Sequence, residues 1–164
     1  MRYLLDANVF IAAKNLHYGL DFCPAFWGWL VHNGNTGKVF SIDKVADEIE
    51  AVGDELSEWA KNDGMVLFRR TPPTLAQQFA QVSKWAFGQQ YEPVAINTFL
   101  QGADYYLLAH ALAGDYIVVT HEVPSSSPRR IKIPNACLGL GVRYMTPFQM
   151  LRREGARFVL GGIR

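Results

Sequence analysis

The sequence predicts an α/β fold, a three-layer α/β/α sandwich around a central, mostly parallel sheet. Three observations carry that prediction. Apolar runs of strand length recur at residues 3–5, 39–42, 65–68, 116–120 and 143–145, and they are continuous rather than alternating, as in strands buried on both faces. Segments with helical spacing lie between them, and strands that alternate with helices favour a parallel sheet. The first run ends on a carboxylate, Asp6, and the carboxyl ends of strands are the edge where open α/β sheets bind ligands.

Along the chain, Tyr3-Leu4-Leu5 leads through Asp6 and Asn8 into an apolar-periodic helix over 9–16. A helix over 25–32 stops at the turn-forming Asn33-Gly34-Asn35-Thr36-Gly37 before the strand at 39–42. One long helix is predicted over 44–61, because Val45, Ile49, Val52, Leu56 and Trp59 form a single apolar stripe at about 100° per residue. The strand at 65–68 stops at Thr71-Pro72-Pro73. Helices over 75–87, 94–101 and 104–113 precede the β-branched run at 116–120, which reads as an interior strand. Pro124-Ser125-Ser126-Ser127-Pro128 is the segment expected to be most mobile. A strand at 143–145 and a helix over 148–153 close the pattern, and 155–160 reads as either a further strand or a tail.

The 164 residues are 49% hydrophobic and 19% charged, which excludes a disordered chain and suits one domain over 1–164. A net charge of +1 carries no global nucleic-acid signature, so a polyanionic partner needs local basic patches or bound cations. Cys23 and Cys137 lack metal-ligand spacing and read as reduced thiols. Asp6 and Asn8 interrupt the only stretch that resembles a signal peptide, and no apolar run reaches membrane-spanning length. The expectation is a soluble, cytoplasmic protein with no membrane association.

Four carboxylates stand where this topology gathers its strand and helix ends. Asp6 sits between the first strand and first helix, and N-capping is its plain structural role. Glu48 falls on the rim of the apolar stripe, whereas Asp47, Asp54 and Glu58 point to the opposite side; a rim carboxylate can also simply reach to water. Asp104 follows Gly102-Ala103 and shares the inward face with Leu108 and Ala111, with helix-start charge as its alternative role. Glu122 follows the β-branched run, two residues beyond Thr120, whose hydroxyl is a candidate contact for a metal-bound water, with a structural role at the strand end as its alternative. Clustered carboxylates raise one another's pKa. A divalent cation relieves that repulsion, and an all-oxygen donor set selects Mg²⁺ or Mn²⁺.

With these residues in hand, the chain resembles the PIN-domain ribonucleases. Leu4-Leu5-Asp6-Ala7-Asn8-Val9-Phe10, Val45-Ala46-Asp47-Glu48-Ile49, Gly102-Ala103-Asp104-Tyr105-Tyr106-Leu107-Leu108-Ala109 and Val118-Val119-Thr120-His121-Glu122 are similar to that family's four acidic segments, in its order. The fourth position is commonly aspartate in the family and is Glu122 here. Ile133-Pro134-Asn135-Ala136-Cys137 and Thr146-Pro147-Phe148 look like a subgroup beside the VapC toxins of toxin–antitoxin pairs. The resemblance implies Mg²⁺- or Mn²⁺-dependent hydrolysis of RNA phosphodiester bonds, leaving 5′-phosphate and 3′-hydroxyl ends. It implies catalytic and metal-binding roles for Asp6, Glu48, Asp104 and Glu122, with Asn8 positioning a water or the Asp6 carboxylate. It further implies a small antitoxin partner and a homodimer, with the helix near Phe26-Trp29 as the guess for the dimer face.

Other residues carry weaker signals. His121 lies beside the acidic set and is placed to contact phosphate; His17, His32 and His110 read as structural or exposed. Arg129, Arg130 and Lys132 are the best candidates for RNA backbone contact, against a solvated basic loop. Phe26, Trp27, Trp29, Trp59 and Trp85 suit core or dimer packing better than base stacking. The alternative function is a non-catalytic PIN-fold module that binds RNA or protein. A haloacid-dehalogenase-like phosphatase is disfavoured, because Asn8 stands where that chemistry needs a second aspartate.

Overall fold

The computed structural model describes residues 1–161. Its single sheet has five parallel strands, β1 (Tyr3–Leu5), β2 (Val39–Ile42), β3 (Phe68–Arg69), β4 (Ile117–Val119) and β5 (Tyr144–Met145), in the spatial order β3-β2-β1-β4-β5. Strand β1 is the centre. Tyr3 pairs with Val39 on one side and Ile117 on the other, and Tyr3, Leu4 and Leu5 are all fully buried. The chain builds outward from β1 through β2 to β3, then returns to lay β4 against the opposite edge of β1. That reversal makes the β1/β4 boundary the switch point of the sheet, and its carboxyl end is the crevice in which such sheets bind ligands.

The helices among the described residues are α1 (Ala7–Ala12), α2 (Pro24–Asn35), α3 (Asp43–Glu50), α4 (Glu55–Lys61), α5 (Ala76–Gly88), α6 (Pro93–Gln101), α7 (Ala103–Gly114), α8 (Ile133–Leu140) and α9 (Pro147–Arg153). They flank the sheet in the three-layer arrangement the sequence predicts. Helices α2, α6, α8 and α9 carry proline in the first turn, where no intrahelical N–H is lost. No described helix is long and apolar enough to cross a membrane.

The predicted helix over 44–61 is two helices. After α3 the chain turns at Gly53, whose φ of +72° favours glycine, and restarts at Asp54. The Asp54 carboxylate accepts the Ser57 N–H while the Ser57 hydroxyl accepts the Asp54 N–H, a reciprocal cap. Val45, Ile49, Leu56 and Trp59 are buried as the stripe requires, but Val52 lies in the break and is exposed. Asp54, read as a solvated helix residue, instead caps α4 and pairs with Lys14 Nζ at 2.9 Å.

Three further expectations change. Residues 63–67 form a 3₁₀ turn, and β3 begins only at Phe68. Helix α8 lies where no helix was expected from periodicity; its eight residues include Pro134 and Gly139, and Gly141 ends it at φ +71°. Phe26 and Trp27 are buried, with Phe26 stacked on Tyr18 and Trp27 edge-on to Trp59, so they are core residues rather than a dimer face. Trp29 and Trp85 pack against the same core. Residues 155–160 add no strand; Phe158 packs edge-on against Tyr18 and Phe26.

The Asp54 cap provides a pH test of this break. The Lys14 ammonium and the Ser57 N–H hold the Asp54 carboxyl down at about 2, below its ordinary 3.8. Its contribution is therefore fully present above the unfolded value and is lost as pH falls through about 2. Asp54→Ala should cost about 1 kcal/mol near pH 6 in urea unfolding, and the gap from wild type should narrow toward pH 2.

Candidate active site

A cavity of about 580 Å³ opens at the carboxyl edge of the sheet, and Asp6, Glu48, Asp104 and Glu122 all line it. Each comes from a different element. Asp6 leaves β1, Glu48 stands on α3, Asp104 is in the first turn of α7, and Glu122 follows β4. The parallel topology brings together residues up to 116 positions apart in sequence.

Asp6 is buried, at 5% exposure. Its Oδ1 accepts the Ala7 N–H at 2.7 Å and its Oδ2 accepts the Thr120 hydroxyl at 2.9 Å. The capping role and the site role thus belong to one side chain: Asp6 caps α1 and still lines the cavity. Thr120, itself buried, accepts the Glu122 N–H at 3.1 Å. A chain of hydrogen bonds therefore joins the ends of β1 and β4. Asn8 adds a second link, its Oδ1 accepting the His121 N–H at 3.2 Å; the amide orients the loop after β4 rather than the Asp6 carboxylate.

Glu122 has a structural duty of its own. Its Oε2 accepts the Ile133 N–H at 3.1 Å, the first residue of α8. Lys132 provides no side-chain cap there, so Glu122 satisfies a helix-end donor from across the loop and benefits from the positive end of the helix. Glu48 lies on the exposed rim of the cavity, and Asp104 is half-buried within it.

The electrostatics follow from this crowding. Burial, then Glu122, with a smaller effect from Glu48, push the Asp6 carboxyl up to about 7, against the lowering effect of its hydrogen bonds. Burial and the charges of Asp6, Glu122 and Glu48 raise Asp104 well above the carboxylate range, and Arg130 pulls it back. The Cys137 thiol beneath the site is pushed up to about 12 by burial and by Asp6 and Glu122, which makes it inert. Four carboxylates face two arginines, so the cavity is formally acidic. The raised values mean that Asp6 and Asp104 give up their protons with reluctance until a counter-charge offsets them.

Arg129 and Arg130 line the cavity, whereas Lys132 and His121 do not. The serine-containing loop that carries the arginines is tied down. Asn135 accepts the Ser125 N–H and donates to the Ser125 carbonyl, both at 2.9 Å, and the Glu92 N–H reaches the Pro128 carbonyl at 2.9 Å. Those bonds anchor the segment at Ser125 and Pro128. Arg129 and Arg130 themselves remain exposed. Burial and the nearby His17 lower the His121 pKa. His32 is exposed, and buried His110 meets the Thr71 hydroxyl at 3.2 Å.

Sequence reading passed over the wall supplied by α6, where Val94, Thr98 and Phe99 face the carboxylates. Pro93 marks the start of that helix, but nothing local signals which way its face turns.

All-oxygen donors, crowded enough to raise their own pKa values, fit a hard divalent cation. Among the described residues no three His, Cys, Asp or Glu side chains form a ready cage, so the fit rests on the donor chemistry and on the surplus charge. The sign of the linkage is definite. A carboxyl raised from 3.8 to about 7 leaves stability intact at low pH and removes it as pH rises through about 7. In EDTA, Asp6→Asn should be more stable than wild type at pH 8, on the order of 2 kcal/mol, with the difference shrinking toward pH 4. Mn²⁺ should raise the melting temperature of wild type more than that of Asp6→Asn; equal shifts would remove Asp6 from the cation site.

Neither the curated proteins nor the solved structures yield a match to this chain. A family model described as "Domain of unknown function (DUF4411)" matches residues 3–158, a span that includes all five strands and all four cavity carboxylates. The chain belongs to the DUF4411 family.

Proposed function

We propose that this protein is a divalent-metal-dependent endoribonuclease, hydrolysing RNA phosphodiester bonds at the acidic cavity. One observation carries the reading: Asp6, Glu48, Asp104 and Glu122 share a cavity with Arg129 and Arg130. That pairing suits a polyanionic substrate bridged to carboxylates by cations. The likeness of the four acidic segments to those of PIN-domain ribonucleases supports the same chemistry. The toxin role, the small antitoxin partner and the homodimer belong to the proposal on that likeness alone.

Asp6 and Asp104 would hold the principal Mg²⁺ or Mn²⁺, with Glu48 reaching it directly or through water and Glu122 serving a second ion or a water. A bound cation supplies a water of lowered pKa and offsets charge on the phosphate during displacement. The chain's own residues supply orientation. Thr120 fixes the Asp6 carboxylate through its hydroxyl, and Asn8 holds the loop that carries Glu122. Arg129 and Arg130 stand where they can draw phosphates to the cavity mouth.

The deciding experiment incubates purified protein and an Asp104→Asn control with a mixed RNA pool, in Mn²⁺ or in EDTA. Cleavage should require the metal and should fall on the order of 10²-fold or more in the variant. A folded, metal-binding protein that binds RNA without cutting it would be a non-catalytic binding module instead. Arg129→Ala/Arg130→Ala should weaken RNA binding and reduce the slope of log affinity against log salt by about 1.4, at about 0.7 per phosphate contact on a single strand. An unchanged slope would remove both residues from the RNA contact.

A further inference from the structure

Beside the acidic cavity stands a cluster of rings with no part in the chemistry proposed above. His17 and His121 lie with ring centroids 5.4 Å apart and planes 34° from parallel. Phe148 meets His17 edge-on at 5.1 Å and His121 at 5.5 Å. The three rings come from three elements that end at the same edge of the sheet: the turn after α1, the residue before Glu122, and the first turn of α9. His121 is tied by its N–H to Asn8, which lines the cavity. The cluster is therefore one residue removed from the carboxylates.

His17 reaches this position through an unusual backbone. Residues Ala13–His17 form a π-helical turn, closed by the Tyr18 N–H on the Ala13 carbonyl at 2.7 Å. Such turns are rare and gather at functional sites. The cluster differs from an ordinary hydrophobic seal. His17 is exposed, and His121 and Phe148 are only half-buried, so aromatic surface stays open to solvent next to a charged cavity.

We propose that His17, His121 and Phe148 form a stacking platform for an unpaired base of the RNA strand whose phosphate lies at the acidic cavity. The inference rests on the ribonuclease reading and adds to it the form of the substrate. The two imidazoles carry ring N–H donors, but Phe148 offers neither charge nor donor, and what all three rings can present in common is a π face, which every base can stack on. A base can reach such a platform only when it is splayed out of a helix, so the substrate is single-stranded at this position.

The test measures binding of a short fluorescein-labelled oligouridine in Mn²⁺, the cation expected to bridge phosphate to the carboxylates, with Asp104→Asn as the parent protein to suppress turnover. His17→Ala, at an exposed position, and Phe148→Leu, which keeps apolar packing, should each weaken binding by about tenfold without changing the melting temperature. Neither variant should weaken binding of an abasic oligomer of the same length, while Arg129→Ala/Arg130→Ala should weaken both ligands alike. Unchanged oligouridine binding by His17→Ala, or an equal loss on the abasic strand, would overturn the platform and leave the ribonuclease reading standing. Should wild type neither bind nor cut RNA, that reading fails and the platform with it.

Discussion

Asp6 leaves the central strand with its carboxylate buried, in a place where an ionised oxygen is costly unless its partners are fixed. The Ala7 N–H and the Thr120 hydroxyl meet its two oxygens, and these partners tie the start of α1 to the end of β4. Further hydrogen bonds at the ends of β1 and β4 extend that tie. The Thr120 hydroxyl also receives the Glu122 N–H, and Asn8 receives the His121 N–H. Asp6, Asn8 and Thr120 together therefore join both sides of the switch point. Burial and then the repulsion of the neighbouring carboxylates raise the Asp6 carboxyl far above its ordinary value.

In the loop from Glu122 to Ile133 one side chain both lines the cavity and helps hold the fold together. Glu122 lines the cavity and also satisfies the first N–H of α8. Asn135, within α8, grips Ser125 from the other side. These bonds bracket the two arginines, which line the cavity. A glutamate suits both duties better than a shorter side chain, since it must reach the cavity and the helix end from a single position.

Much of the fold was legible because parallel strands buried on both faces announce themselves as continuous apolar runs. Tyr3–Leu5 and Val39–Ile42 have the bounds the sequence predicts. The long helix over 44–61 misled because Val45, Ile49, Leu56 and Trp59 keep a common stripe across the break; only the Gly53 turn and the Asp54 cap reveal two helices. Helix α8 was missed because its composition, with Pro134 and Gly139, lacks clear helical periodicity. The four carboxylates were legible as polar residues at strand ends and helix starts, and all four reach one cavity. The α6 wall and the ring cluster were not, because the direction of a helix face and the meeting of three separate turns are properties of packing.

The sequence by itself determined the layered α/β class, the residues of the central strand and the identity of the acidic set, since these depend on local composition and on period. Tertiary structure alone decided that β4 returns to the side of β1, that Glu122 answers α8, that the arginine loop is held in place and that His17 meets His121. The physical reason is common to all four. Each depends on hydrogen bonds or ring contacts between segments far apart in the chain, and no local pattern encodes which distant partner will satisfy a given donor.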